Sequence, residues 1–255
     1  MTIFIYDKTF EGLLTAVFDA YSFKLFPDRL QAETEQLPLF YEHVITIGTD
    51  EEKANRVWKG LKKKLSPSAL SMLTSCWLSE LPEIGTLLFR YIRKAIDCPK
   101  SIELNFGDAD VLELAQIWKK VGHERERILM FARFQKTIDN IYFAPVEPLY
   151  NVIALVTDHF KDRFADQQWI LYDMKRQYGY YYDLKTITEI HFEKQPPQLR
   201  ADASNQDLWA EEEKLFQTLW KTYFKTVAIK ERTNPKLHRQ NLPVRFWKYL
   251  TEKKK

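Results

Sequence analysis

The segment WILYDMKRQYGYYYDLKTITEIHF (residues 169–192) is rich in aromatic and β-branched residues, which favour strands. Upstream, the apolar runs ILMFARF and IYFAPVEP flank a polar turn at Asp139 and Asn140. Residues 150–164, which follow, show helical spacing of apolar side chains. The pattern predicts a β-β-α-β-β block over residues 123–194, with an antiparallel sheet and a backing helix. Its strands follow one another too closely for parallel crossovers.

The N-terminal residues 1–122 are predicted to form a mostly helical α/β region with two strands, TIFIY (residues 2–6) and HVITIGT (residues 43–49). Thr9, Asp50 and Ser66-Pro67 each suit the start of a helix, because a side-chain oxygen can accept a free N–H and proline fits the first turn. Further helices are expected over residues 84–96 and 108–120, after an interruption at Pro82.

Residues 195–255 are predicted to hold a polar linker (residues 195–207), a long helix (about residues 207–228) and a basic segment. The helix is expected to bury six apolar side chains: Leu208, Leu215, Leu219, Trp220, Tyr223 and Val227. The sequence therefore predicts an α+β protein with regions at 1–122, 123–194 and 195–255. The alternative is that all three form one compact domain.

Composition excludes several classes of protein. The chain is 45% hydrophobic and 15% aromatic, which predicts a folded protein with a large core. It has neither a secretory signal pattern nor an apolar run long enough for a membrane span. The only cysteines, Cys76 and Cys98, form no CxxC pair, so a disulfide framework is not expected. A cytoplasmic location follows as the expectation.

No nucleotide-phosphate or metal motif is present. The sequence lacks GxxxxGK[ST] and GxGxxG, so neither ATP nor NAD is predicted, and no cofactor is expected. The five histidines lie far apart and form no short ligand pair, so no metal site is predicted from spacing. Residues 225–255 carry ten Lys or Arg against two Glu, or +8, which suits nucleic acid, an acidic protein or a solvated tail equally.

A patch of basic and aromatic residues occupies residues 150–183 of the predicted sheet and helix. Guanidinium groups neutralise phosphates and aromatic rings stack on exposed bases, so the patch is compatible with single-stranded or distorted nucleic acid. Tyrosine runs also occur in ordinary sheet cores, and that interpretation stays open. The polar and aromatic members considered are Asn151, His159, Lys161, Arg163, Asp173, Lys175, Arg176, Tyr178, Tyr180, Tyr181 and Tyr182.

Four stretches together resemble a bacterial family of probable DNA metabolism proteins: VGHERERILMFARF, YFAPVEPLYNVIALVTDHFKDRF, QWILYDMKRQYGYYYD and TNPKLHRQNLPVRFWKYLTEK. The resemblance covers roughly residues 2–252. It implies a setting in DNA repair, because members of that family accompany a radical-SAM protein similar to spore photoproduct lyase. A related domain is fused to uracil-DNA-glycosylase-like domains in other proteins.

The resemblance also marks individual positions. Those matching the family's polar signature are His123, Arg133, Asn151, His159, Arg163, Asp173, Arg176, Asn234, Arg239, Pro243 and Trp247. The chain departs from the family's His-Arg pair, since Glu124 follows His123. The iron–sulfur cysteines and glycosylase motifs of the partners are absent, so neither radical chemistry nor base excision is assigned to this chain.

These observations lead to three hypotheses of function. The first is an accessory or DNA-engaging module of a radical-SAM or glycosylase-type enzyme, without independent catalytic activity. It would bind DNA or the partner through Arg133, Asn151, Arg163, Arg176, Tyr178, Tyr180, Asn234, Arg239 and Trp247. The second is a metal-dependent nuclease or nucleotide hydrolase using His123, His159 and Asp173. The third is a purely protein-binding scaffold.

Overall fold

The computed structural model describes residues 1–192, 209–229 and 232–253. The chain divides into two compact units, residues 1–122 and 123–255, and the predicted α+β class is confirmed. The predicted third region stays a prediction, and the linker at 195–207 and Leu208 lie outside the described residues. Across the part of the chain that the structure describes, none of the helices combines the length and hydrophobicity that a bilayer crossing requires.

The first unit is built on a three-stranded parallel sheet of order β2-β1-β3. Its strands are β1 (Thr2–Tyr6), β2 (Arg29–Ala32) and β3 (His43–Thr46), and its first four helices are α1 (Phe10–Phe23), α2 (Glu51–Lys64), α3 (Pro67–Trp77) and α4 (Ile84–Asp97). Strand β2 was not predicted, and β3 ends at Thr46, before the predicted end at residue 49.

The helix starts of this unit follow from local side-chain chemistry. The Thr9 hydroxyl accepts the backbone N–H of Gly12 at 2.9 Å, and Asp50 accepts those of Glu52 and Lys53 at 2.9 and 3.1 Å. Ser66 accepts the N–H of Ala69 at 3.2 Å. All three predicted caps are therefore confirmed, since each satisfies an N–H that has no partner within the helix.

Helix α5 (Ala109–Phe131) is longer than predicted, and the boundary between the units falls inside it. The interpretation of ILMFARF as a strand is wrong, because residues 128–131 continue the helix. The charged run at 123–127 likewise lies within α5 and not at its end. Three residues of α5 are buried at helical spacing: Val121, Glu124 and Ile128. One of them is a carboxylate, which interrupts the apolar periodicity from which a buried helix face is predicted.

The second unit contains a five-stranded sheet of order β4-β5-β6-β7-β8. Its elements after α5 are β4 (Gln135–Lys136), β5 (Tyr142–Val146), a 3₁₀ helix (Ile153–Val156), α6 (Thr157–Arg163), β6 (Trp169–Asp173), β7 (Tyr178–Tyr182), β8 (Ile187–Ile190), α7 (Glu211–Val227), α8 (Pro235–Asn241) and two 3₁₀ helices (Val244–Tyr249 and Thr251–Lys253).

The prediction of an entirely antiparallel sheet is wrong for one pair of strands, because β5 and β6 run parallel. Residues 147–168, which contain the first 3₁₀ helix and α6, form the crossover that connects them. Phe160 of α6 packs against the buried Trp169 of β6, with ring centroids 6.3 Å apart. The segment predicted as a backing helix therefore also carries the chain back to the opposite end of the sheet, so that β6 runs in the same direction as β5.

Helix α7 does not bury the apolar face predicted for it. Its described contacts with the rest of the second unit include polar ones, because the buried Glu213 accepts the N–H of Lys136 at 3.1 Å and the indole N–H of Trp220 donates to Glu252 at 2.8 Å. All five of the predicted core residues that the structure describes are exposed: Leu215, Leu219, Trp220, Tyr223 and Val227. The burial prediction for these five residues is wrong.

Candidate functional site: a basic pocket in the second unit

The parallel pairing of β5 and β6 places two chain segments side by side. The register puts Val146 opposite Asp173, at the carboxyl ends of two parallel strands. The loop after β5 and the turn after β6 therefore leave the sheet at the same end. With the 3₁₀ helix Val244–Tyr249 they enclose a pocket of about 440 Å³. We call it the basic pocket, and its lining residues are Glu147, Pro148, Leu149, Lys175, Val244, Arg245 and Lys248.

Asp173 and Arg176 fix one wall of the basic pocket. The fully buried Asp173 carboxylate accepts the backbone N–H groups of Lys175 and Arg176 at 2.8 and 3.1 Å, and the Arg176 guanidinium at 2.8 Å. The guanidinium also donates to the carbonyl oxygens of Pro148 and Leu149, both at 3.2 Å. Arg176 therefore ties the turn to the loop, and the neighbouring Lys175 is left exposed at the pocket.

Glu124 of α5 fixes the second wall. Its carboxylate is 1% exposed and accepts the backbone N–H of Leu149 at 2.7 Å and the guanidinium of Arg127 at 3.2 Å. It also accepts the guanidinium of Arg245, a lining residue. A buried carboxylate is costly to desolvate unless it is paired, and these three donors supply the pairing. Glu124 thus holds both the loop and Arg245 in position.

Glu147 is the single carboxylate among the described residues that line the basic pocket. It pairs with the ammonium of Lys248 and accepts the hydroxyl of Tyr249 at 3.1 Å. The bond from Lys248 lowers the pKa of Glu147 against the opposing effect of burial, and Tyr249 and the charge of Lys175 add to the lowering. Burial and the charge of Glu147 raise the pKa of Tyr249. The carboxylate is therefore ionised at neutral pH.

Among the described residues, three cations line the basic pocket, and one of them forms no ion pair. Arg245 is matched by Glu124 and Lys248 by Glu147, whereas Lys175 forms no ion pair with any residue that the structure describes. Two of the three lining cations are thus held in place by carboxylates, and the third is exposed to solvent. Because Lys175 is not held in an ion pair, an anion can bind it without first breaking one.

Several residues that the sequence marks for binding serve internal contacts instead. Arg133 bonds to the Glu252 carboxylate at 3.0 Å, and the same carboxylate accepts the indole N–H of Trp220 at 2.8 Å. Trp247 donates its indole N–H to the carbonyl of Leu242 at 3.1 Å. The Glu252 contacts join the last 3₁₀ helix to α7 and to the segment after α5, and the Trp247 contact joins the preceding 3₁₀ helix to the end of α8.

Other marked residues lie on or near the sheet. The hydroxyl of Tyr178 bonds to Asn151, and the hydroxyl of Tyr180 bonds to Glu189 at 3.2 Å. Both rings are half-buried, with their centroids 5.8 Å apart in an edge-to-face arrangement. The hydroxyls are thus engaged within the sheet, and only part of each ring faces solvent.

The remaining marked residues are more exposed. Arg163 lies at the end of α6 with its guanidinium 5.7 Å from the Phe164 ring centre, and Arg239 is exposed on α8. Asn234 caps α8 by accepting the N–H of Leu237 at 3.0 Å, and Pro243 directly precedes the 3₁₀ helix that borders the basic pocket. None of these four residues lines the pocket.

The three metal ligands of the nuclease hypothesis do not come together. Within residues 1–192, 209–229 and 232–253, no group of three or more His, Cys, Asp and Glu side chains is arranged to hold a metal ion. His123 contacts Glu126 at 3.4 Å, His159 packs beside Phe160, and Asp173 is bonded to Arg176. These three side chains therefore do not form the divalent-metal site on which the nuclease hypothesis depends.

The sequence did not single out Glu147, Arg245 and Lys248 as site residues. A partial signal exists, because Arg245 and Lys248 flank Trp247 in the basic terminal segment. Their meeting with Lys175 depends on the parallel register of β5 and β6, which the local pattern did not predict.

Comparison with known proteins identifies a family but no activity. No curated protein matches the chain. A solved structure described as the pGpG-specific phosphodiesterase PggH from Vibrio cholerae shares 13% identity, with a TM-score of 0.33, over 71% of this chain and 81% of that one. A family model described as a domain of unknown function, DUF4130, matches residues 82–252, which include every residue of the basic pocket. The chain therefore belongs to the DUF4130 family.

Proposed function

We propose that the protein is an accessory module that binds nucleic acid through the basic pocket. The observation that carries this proposal is the placement of Lys175, Arg245 and Lys248 around one pocket. Ammonium and guanidinium groups form strong, charge-assisted hydrogen bonds with phosphate oxygens. Three such donors around one cavity therefore suit a phosphate better than any neutral ligand.

The carboxylates that hold the lining cations in place also favour a phosphate as the ligand. Glu124 and Glu147 hold Arg245 and Lys248 in place, so less side-chain freedom is lost when an anion binds. Lys175 contributes a charge that no carboxylate matches among the described residues. Arg133 and Arg176 do not line the pocket, so the proposed phosphate contact is assigned to the three cations that do: Lys175, Arg245 and Lys248.

The resemblance to probable DNA metabolism proteins supplies the proposed setting. The module would assist a radical-SAM or uracil-DNA-glycosylase-type enzyme that repairs or modifies DNA, and it would contribute binding and not catalysis. This part of the proposal rests on the resemblance alone.

Fluorescence anisotropy with a labelled single-stranded oligonucleotide at several salt concentrations tests the proposal. The logarithm of the binding constant is expected to fall linearly with the logarithm of salt concentration, by about 0.7 per phosphate neutralised. Lys175→Ala should reduce that slope by about 0.7. Lys185→Ala is the matched control, because Lys185 is exposed in the next turn and does not line the pocket.

Two results would contradict the proposal. The first is salt-insensitive or absent binding by the unaltered protein, and the second is equal binding by the Lys175 and Lys185 variants. Glu147→Gln adds a test of opposite sign, because it removes the negative charge that lines the pocket and leaves the Lys248 charge unpaired; this gain in positive charge should outweigh the lost anchoring of Lys248 and strengthen binding of an anion.

A protein-binding scaffold is the second candidate, and the exposed apolar side of α7 favours it. Leu215 is 61% exposed, Leu219 54% and Tyr223 58%, and they lie on one side of a single helix. Contiguous exposed apolar surface of this kind commonly marks an interaction site. Co-purification of the radical-SAM protein that is lost in Leu219→Lys, with no binding of nucleic acid, would favour this function over the first.

A further inference from the structure

The basic pocket has an apolar part that a phosphate alone does not explain. Besides its charged residues it is lined by Pro148, Leu149 and Val244. Leu149 is 50% exposed and Val244 57% exposed, so both side chains are open to solvent beside the lining cations. A ligand that combines a phosphate with a flat, weakly polar body would cover both kinds of surface.

The backbone of residues 148–149 in the pocket loop is already engaged. The N–H of Leu149 donates to Glu124 at 2.7 Å, and the carbonyls of Pro148 and Leu149 each accept from Arg176 at 3.2 Å. Proline has no N–H to offer. This part of the loop therefore presents apolar side chains to a ligand, with its polar groups already satisfied.

The size of the basic pocket limits what can enter. At about 440 Å³ it falls within the range of small-molecule sites, which are roughly 300–1,000 Å³. A nucleotide in a duplex keeps its base stacked and paired, so its base cannot reach a pocket wall unless it leaves the stack. An unpaired nucleotide meets no such obstacle, because its base is free to turn towards a protein surface.

We propose that the basic pocket binds one unpaired nucleotide of a DNA strand, with the phosphate at Lys175 and Arg245 and the base against Leu149 and Val244. This inference rests on the proposed function and deepens it. Because apolar side chains make the contact and the loop backbone is engaged, recognition tolerates every base and depends on the presence of a base. The protein therefore prefers single-stranded or frayed DNA to intact duplex.

The test compares a single-stranded oligonucleotide with an otherwise identical strand of abasic nucleotides, which has the same phosphates and no bases. The unaltered protein is expected to bind the base-containing strand more tightly by on the order of ten-fold, because a base that covers Leu149 and Val244 removes apolar surface from water. The double variant Leu149→Ser, Val244→Ser should lose most of this difference while its salt dependence stays unchanged. Ile138→Ser, equally exposed at 56% and outside the pocket, is the matched control and should keep the difference.

The possible outcomes distinguish a failure of the nucleotide inference from a failure of the proposed function. Tight, salt-dependent and equal binding of both strands by the unaltered protein would overturn the nucleotide inference and leave phosphate binding intact. A base preference that survives in the double variant would also overturn it, because the base would then lie elsewhere. Failure to bind either strand would overturn the proposed function itself. Thermal melting of the double variant checks its folding, which should be retained because both side chains are exposed.

Discussion

Replacing Glu124 with Gln removes the buried charge that supports the basic pocket, and we expect it to lower the free energy of unfolding by about 2–3 kcal/mol. The amide oxygen of Gln can still accept the N–H of Leu149, so that bond is retained. The ion pairs with Arg127 and Arg245 are lost. Breaking a fully buried pair costs about 3–5 kcal/mol, and both arginine side chains are about one-third exposed, which reduces the cost.

The assay is urea unfolding followed by tryptophan fluorescence and far-ultraviolet circular dichroism. Glu126→Gln is the matched control, because Glu126 lies on the same helix, is exposed and pairs only with His123. Its expected cost is below about 0.5 kcal/mol. Equal unfolding midpoints for the Glu124 and Glu126 variants would refute the reasoning, since Glu124 would then contribute no more than a surface charge.

Three further predictions concern other parts of the molecule. Leu219→Lys, at an exposed position of α7, should change the free energy of unfolding by less than about 0.5 kcal/mol. Leu250→Ala, at a fully buried side chain, should lower it by about 3 kcal/mol, and urea unfolding measures both. A thiol reagent should label Cys98 but not Cys76 in the folded protein, because burial raises the pKa of Cys76 to about 12; labelling of both would contradict this. Burial raises the pKa of Glu252. Hydrogen bonds from its own backbone N–H, the Trp220 indole and the Arg133 guanidinium outweigh burial and keep this pKa below the ordinary value of 4.5. Its contribution to stability is therefore present above that pH and lost as the pH falls, and the Gln variant should show a flatter acid limb in pH-dependent melting.

Local chemistry was enough to predict much of the first unit. The caps at Thr9, Asp50 and Ser66 depend on contacts within three residues along the chain, so the sequence contains all the partners. Strand β2 was missed because its residues, RLQA, show little β-branched or aromatic character. It pairs with β1 through backbone bonds, which no side-chain pattern reports.

Predictions failed where distant parts of the chain decide the structure. Glu124 occupies a buried position of α5 because Arg245 and Leu149, far along the chain, supply its partners. The pattern of α7 predicts a buried apolar face, but the buried residue of this helix is Glu213, whose carboxylate accepts the N–H of Lys136 in β4. In both cases a side chain's environment depends on a long-range partner and not on its neighbours in sequence.

The candidate site was predicted in part. The sequence marked Asp173 and Arg176, and the structure places them beneath the basic pocket as supports. The pocket-lining cations Arg245 and Lys248 were not marked, because they reach Lys175 only through the parallel register of β5 and β6. That register depends on the crossover at 147–168, which the sequence suggested only as a backing helix.

Photochemical crosslinking of a bound single-stranded oligonucleotide, with the modified peptides identified by mass spectrometry, tests most directly where nucleic acid binds. We predict crosslinks in peptides that contain residues 147–149, Lys175 and residues 244–248, and their loss in the presence of excess unlabelled strand. Crosslinks confined to the lysine-rich end of α2, at residues 62–64, would contradict the assignment of the basic pocket as the binding site.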